Sequence, residues 1–268
     1  MGAGGVPQPH ARRGHSLTDP VVGVACALRN EARHLVRPPP RFSSVQRLPD
    51  GKLLALTGMG PAAAAAGAER LVAAGAGALV SWGLAGGLDP ALPAGKIFLP
   101  SEIATPEGAL LATDARWRER LAASVSGFAP LTSGRLVTVA AVVATAAAKA
   151  ALFKASGARA VDMESAAIGE VARGRSLPFI AVRVIIDRAG DAMPDSFVAA
   201  FDASGEFSLL RLLARLPRAP GELGALLQLA GTFRQANRAL AAVAASAALA
   251  QPRTVEAPVR DARTAGAT

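Results

Sequence analysis

The stretch Ala78-Leu79-Val80-Ser81-Trp82-Gly83-Leu84-Ala85-Gly86-Gly87 decides the reading of the fold. Five residues of strand length, four of them apolar, run directly into three glycines, which predicts a buried strand entering a glycine loop. Residues 71–88 carry no charge, yet five glycines (Gly75, Gly77, Gly83, Gly86 and Gly87) interrupt them, so the stretch is not expected to span a membrane. Glycines in such number let a backbone approach something closely. A loop at the carboxyl end of a parallel strand is also where open α/β sheets bind their ligands.

Working outward, Val21-Val22-Gly23-Val24-Ala25-Cys26-Ala27 reads as another buried strand, and Leu28-Arg29-Asn30-Glu31 opens a helix after it. Leu53-Leu54-Ala55-Leu56-Thr57 predicts a strand that ends at Gly58-Met59-Gly60-Pro61, with proline in the first turn of an Ala-rich helix reaching about residue 74. Further strands are expected at 96–99, 136–140, 158–162 and 179–186, and helices at 145–155 and 164–173. The alternation of strand and helix argues for an α/β protein with a largely parallel sheet covered on both faces.

Residues 209–216 and 222–249 show helical patterning broken by Pro217, Pro220 and Gly221, which predicts a C-terminal helical extension from about residue 206. Residues 1–20 read as a disordered leader, because Arg12 and Arg13 are followed by no apolar run and so do not form a secretory signal. Residues 21–250 are expected to form one domain, and 251–268 a disordered tail.

With 268 residues and 51% hydrophobic content the chain can bury one large core or two small ones. The net charge of +9 comes from arginines scattered through Ala-rich stretches and both termini, and only 4% of residues are aromatic, so no nucleic-acid partner is expected. The single Cys26 excludes an intrachain disulfide and fits a reducing, cytoplasmic compartment. Three histidines, two of them in the leader, argue against histidine metal sites and Ser-His-Asp triads. Gly58-Met59-Gly60-Pro61 matches a relaxed dinucleotide fingerprint, but the acidic residue wanted about 20 positions on is missing at Leu79-Val80-Ser81-Trp82. Neither a nicotinamide or flavin cofactor nor a metal is expected.

Carboxylates concentrate at two strand exits. Val161-Asp162-Met163-Glu164 places two of them around a methionine, and Asp187 closes the apolar run Phe179-Ile180-Ala181-Val182-Arg183-Val184-Ile185-Ile186. Acids at strand ends face one rim. A structural alternative has Asp162 paired with Arg183 on a neighbouring strand and Glu164 serving a helix N-terminus.

In this order the pieces resemble the nucleoside phosphorylase and nucleosidase superfamily over residues 21–187, most specifically at Val161-Asp162-Met163-Glu164-Ser165-Ala166-Ala167. The loop Cys26-Ala27-Leu28-Arg29-Asn30-Glu31-Ala32 looks like that of the methylthioadenosine/S-adenosylhomocysteine nucleosidases. The extension beyond Asp191-Ala192-Met193-Pro194, together with Trp82-Gly83-Leu84-Ala85-Gly86-Gly87-Leu88-Asp89-Pro90, looks like the hopanoid-associated branch, the adenosylhopane nucleosidases. The superfamily implies a three-layer α/β/α sandwich around a central mixed sheet, assembled as a homo-oligomer. The branch implies removal of adenine from adenosylhopane to leave ribosylhopane.

Breaking an N-glycosidic bond develops positive charge on the ribose while adenine departs as a poor anion, so a site must protonate the base and supply a nucleophile. On this resemblance Asp187 donates a proton toward N7, with its pKa raised by burial, and Glu31 activates water. Glu164 hydrogen-bonds the ribose hydroxyls and Met163 offers a polarizable surface. Leu84, Ala85 and Gly86 of the glycine loop face the substrate. The adenine edge falls at Val142 and Val143, where backbone groups must read the base.

Phosphorylases of the superfamily place an arginine and a hydroxyl residue where this chain has Ser81 and Leu84, which favours water over phosphate, with Arg29 as the residue that would reverse the preference. In the extension, Arg211, Arg215, Arg218, Arg234 and Arg238 face Glu222 alone. Such a surface could touch the inner face of an anionic membrane or cover a hydrophobic slot, or simply pack on the sheet with its arginines solvated. The enzyme alternatives are a methylthioadenosine/S-adenosylhomocysteine nucleosidase and a phosphate-dependent phosphorylase. The alternative of another class is a nucleoside-binding protein, which needs no acid and base pair.

Overall fold

A computed structural model describes residues 20–128, 130–200, 208–215, 220–250 and 252. The expected leader and tail therefore lie outside the described residues, apart from Pro20 and Pro252. The first half of the chain runs β1 (Val22–Cys26), α1 (Arg29–Ala32), β2 (Val45–Arg47), β3 (Leu53–Leu56), α2 (Pro61–Ala73), β4 (Ala78–Gly87), β5 (Ile97–Phe98), β6 (Glu102–Ala104), β7 (Leu110–Ala112) and α3 (Ala115–Val125). It continues through β8 (Leu131–Thr132), β9 (Arg135–Thr138), α4 (Ala146–Ser156), β10 (Ala160–Asp162), α5 (Ser165–Gly174), β11 (Phe179–Asp187), α6 (Asp195–Val198), α7 (Leu209–Arg215) and α8 (Leu223–Ala244).

β4 organises the sheet. Its first half lies parallel to β1 on one edge, and β11 runs parallel along the other. Past the end of β1, β10 takes over that first edge antiparallel to Gly86 and Gly87 and carries the sheet on to β9, β6 and β7. The sheet is mixed: β2–β3, β5–β11, β6–β7 and β4–β10 are antiparallel pairs, while β1–β3, β1–β4, β4–β11, β9–β10, β6–β9 and β5–β8 are parallel, so it is largely parallel as the alternation of strand and helix suggested. The expected glycine loop is corrected. Residues 83–87 continue β4 as strand, paired with β11 as far as Gly86 and with β10 at Gly86 and Gly87.

The two faces of the sheet are covered by different helices. Val22, Val24 and Cys26 of β1 alternate with Ala25, so the former pack in a core with Trp117 and Leu121 of α3 and Leu240 and Val243 of α8. Ala25 packs with Ala64, Ala68 and Leu71 of α2 and Ile168 and Ala172 of α5. A strand buried on both faces is apolar throughout, which is why β1, β3 and β11 read as continuous runs. Helix α3 was not legible in the sequence: its mean polarity is high, and only Trp117, Leu121 and Val125 at fourfold spacing are buried. Asp114 caps it by accepting the Trp117 N–H at 2.8 Å. The extension docks one face of α8 on the sheet through Ala236, Ala239 and Leu240, leaving Leu210, Leu223 and Leu227 exposed; Arg218 lies outside the described residues.

Candidate active site

The carboxyl ends of β4, β10 and β11, the loop after β9 and helix α1 enclose a cavity of about 340 Å³, within the size range of small-molecule sites. Glu31, Leu84, Ala85, Gly86, Val142, Val143, Met163, Glu164 and Asp187 all line it. The structure thus gathers every sequence-derived site residue around one space.

The glycines of β4 explain how two carboxylates fit beside a strand. A Cβ on Gly83 would stand 2.7 Å from Oε1 of Glu31, and one on Gly86 would stand 3.2 Å from Oδ1 of Asp187. One on Gly87 would meet the Asp187 carbonyl at 2.7 Å. Close approach of acids, not a turn, is what these glycines permit.

Glu31 sits in the first turn of α1, where its Oε2 accepts the Leu28 N–H at 3.1 Å and its Oε1 accepts the Leu84 N–H at 3.0 Å. The Cys26 thiol donates to Oε2 at 3.5 Å. Burial pushes the Glu31 pKa up, opposed by the field of Arg183 and by these amides. Asp187 follows a register shift between Ile185 and Asp187, which brings it opposite Gly86 and turns it to the cavity. Its Oδ1 accepts the Gly87 N–H at 3.1 Å. Burial raises its pKa as well, with Lys149 the largest opposing influence.

Glu164 lines the cavity, and its side chain makes no capping bond to α5. It precedes α5 and its Oε1 accepts the Gly60 N–H at 2.9 Å, so the glycine turn read as a phosphate fingerprint presents its amide to a carboxylate of this chain. Burial and the neighbouring Asp162 push Glu164 up to about 7. Asp162 pairs with Arg183, as the structural alternative held, at 2.9 Å from Nε and 2.6 Å from Nη2. The expected strand adjacency is corrected, because β10 and β11 flank opposite edges of β4 and the pair reaches across it. Arg183 also donates to Ser81 Oγ at 2.6 Å and Ser165 Oγ at 2.9 Å, and Thr138 donates to Asp162 Oδ1 at 2.6 Å.

Above this network Glu31, Ser81, Glu164 and Arg183 enclose a cavity of about 10 Å³, the space of one water, with polar groups on several sides. Arg29 stands elsewhere. Its guanidinium lies 5.0 Å from the centre of the Phe42 ring and lines an outer groove of about 750 Å³ between α1 and α8. Leu28, Phe197 and Phe233 wall both this groove and the inner cavity, and the two phenylalanine rings meet at 5.6 Å.

Sequence reasoning missed two groups. Arg183 was seen only as the partner of Asp162, although its charge acts on Glu31 and Glu164 too. Lys149, inside an Ala-rich helix with no motif around it, is fully buried and places Nζ 2.6 Å from Asp187 Oδ2.

Residues 50–216 match the model of the phosphorylase superfamily, and the chain belongs to that family. No curated protein matches the sequence. Among solved structures it is similar to 5′-methylthioadenosine/S-adenosylhomocysteine nucleosidase from Neisseria meningitidis, solved with methylthio-immucillin-A, at 20% identity and a TM-score of 0.60 over 83% of this chain and 97% of that one. Futalosine hydrolase of Helicobacter pylori is similar at 15% identity and a TM-score of 0.62, over 84% and 95% of the two chains. The methylthioadenosine/S-adenosylhomocysteine nucleosidase of the same organism gives 15% and 0.61 over 84% and 95%. At these identities the likeness establishes a common fold.

Proposed function

We propose that this chain hydrolyses the N-glycosidic bond of an adenine nucleoside whose 5′ substituent is a large apolar group, the conversion of adenosylhopane to ribosylhopane. The observation that carries the chemistry is the gathering of two buried carboxyls, Glu31 and Asp187, around one cavity that a third, Glu164, also lines. Asp187 protonates N7 so that the C1′–N9 electron pair withdraws into a neutral purine, and Glu31 takes the proton of the water that bonds to C1′. Glu164 holds the ribose hydroxyls.

Water is favoured over phosphate because the small enclosed space beside Glu31 is the size of one water, and two carboxyl groups border it. The only guanidinium bordering that space, among the described residues, is Arg183, already bound to Asp162. An anionic nucleophile would meet like charge there.

The apolar substituent is supported by the outer groove, which shares Leu28, Phe197 and Phe233 with the wall of the inner cavity and is far larger than a methylthio group fills. Comparing kcat/KM for adenine release from adenosylhopane and from 5′-methylthioadenosine tests this reading. Preference for adenosylhopane is expected. Equal use of both, or preference for 5′-methylthioadenosine, would overturn the lipid assignment while leaving the hydrolytic one standing.

A further inference from the structure

Lys149 is a lysine without exposure, and a buried ammonium persists only where its charge and all its donors are matched. Here three acceptors surround Nζ: Asp187 Oδ2 at 2.6 Å, the Arg188 carbonyl at 2.9 Å and the Asp191 carbonyl at 3.0 Å. The lysine therefore ties together α4, the end of β11 and the turn at residues 188–191. That turn leads to Met193, whose N–H donates to the Ala144 carbonyl at 2.7 Å and which itself lines the cavity.

The Asp187 carboxyl is held at both oxygens, Oδ1 by the Gly87 amide and Oδ2 by Lys149, yet each oxygen keeps a further lone pair for a proton. The other charged groups nearby are Arg188 and Asp191 in the following turn, with Asp162 and Glu164 on the cavity wall; β4 contributes only glycines at this point. Lys149 is the one cation bonded to this carboxyl among the described residues.

We propose that Lys149 is a positioning residue for proton delivery to the purine: its ammonium fixes the Asp187 carboxyl and stabilises the carboxylate left when the proton has gone. The inference rests on Asp187 being the acid of the proposed reaction. In that step Asp187 loses its proton to N7, the C1′–N9 pair withdraws into adenine, the water oxygen bonds to C1′ and Glu31 gains the water's proton. Negative charge moves from Glu31 to Asp187, and Lys149 stands where it arrives. Without the ammonium, the buried carboxyl keeps its proton to higher pH and gives it up less readily.

The test measures kcat and KM for adenine release from detergent-dispersed adenosylhopane across pH in the full chain and in Lys149→Met, Lys149→Gln and Asp187→Asn, with folding followed by thermal melting. Lys149→Met is expected to lower kcat about tenfold or more, leave KM within about twofold and move the alkaline limb of kcat upward by about one pH unit. Lys149→Gln, which keeps donors without charge, is expected to show the same movement of the limb with a smaller loss of kcat.

A limb that stays in place in the folded variants, whatever happens to kcat, would reduce Lys149 to a structural tie and overturn the proposal. If neither variant folds, the infrared carboxyl bands of the native chain against Asp187→Asn decide: a protonated Asp187 band that gives way to carboxylate at the alkaline limb of kcat supports the proposal, and a carboxyl that keeps its proton beyond that limb overturns it. Undiminished release by Asp187→Asn would overturn the acid assignment and this inference with it. Loss of release by Asp187→Asn with an unmoved limb in the lysine variants overturns the inference alone.

Discussion

A methyl group on Gly83 would stand 2.7 Å from Oε1 of Glu31, so the strand at the centre of the sheet is shaped around that carboxylate. Gly83→Ala must push Glu31 off the Leu84 amide that holds it. The prediction is a fall in kcat of about tenfold to a hundredfold with little change in nucleoside affinity, because Gly83 borders only the small cavity beside Glu31. Steady-state adenine release combined with calorimetric binding of a non-hydrolysable nucleoside checks it, and a variant with native turnover would remove Glu31 from the reaction.

Asp187→Asn keeps the shape of the side chain and an oxygen for Lys149 or Gly87, but it has no acidic proton to give. Adenine release should fall about 10²- to 10⁴-fold while nucleoside binding persists. Single-turnover rates separate the two effects.

Glu164 gives a prediction in pH. Its folded pKa of about 7 stands above the ordinary 4.5, so the folded chain binds this proton more tightly than the unfolded chain does. The stability this lends is complete below about pH 4.5 and is lost as pH rises through about 7. Glu164→Gln should therefore stabilise the free protein at pH 8 relative to pH 5, by about 3 kcal/mol at most. Denaturant melts of both proteins at the two pH values measure it. A variant equally stabilised or destabilised at both would show that burial of the charged form costs nothing here.

Arg183 and Asp162 form a buried pair that also engages Ser81, Ser165 and Thr138. Arg183→Met strands the Asp162 carboxylate and is expected to cost about 3–5 kcal/mol in chemical denaturation. Adding Asp162→Asn should recover part of that loss. If the double variant is as unstable as the sum of the two single ones, the residues do not act as a pair.

Much of this was legible in the sequence for a physical reason. Strands buried on both faces must be apolar along their length, so β1, β3 and β11 announced themselves, and the acids that closed β10 and β11 stood out against those runs. The edge strands β2 and β7 bury too few side chains to leave such a pattern, and β6, paired on both sides, is only three residues long. The glycines of β4 were seen but misjudged as a loop, since a glycine opened for a turn and one emptied for a neighbouring carboxylate look alike until the neighbour is placed. Lys149 gave no local signal at all. Its meaning depends on Asp187, 38 residues away in the chain, and only the packing of α4 against the end of β11 brings the two together.

In the proposed reaction water attacks a bond whose purine has been protonated. The most direct measurement is adenine release from adenosylhopane by the purified chain in phosphate-free buffer, repeated with added phosphate. Release at the same rate in both, yielding ribosylhopane, is expected. Release that appears only with phosphate, and yields a ribose 1-phosphate product, would contradict it.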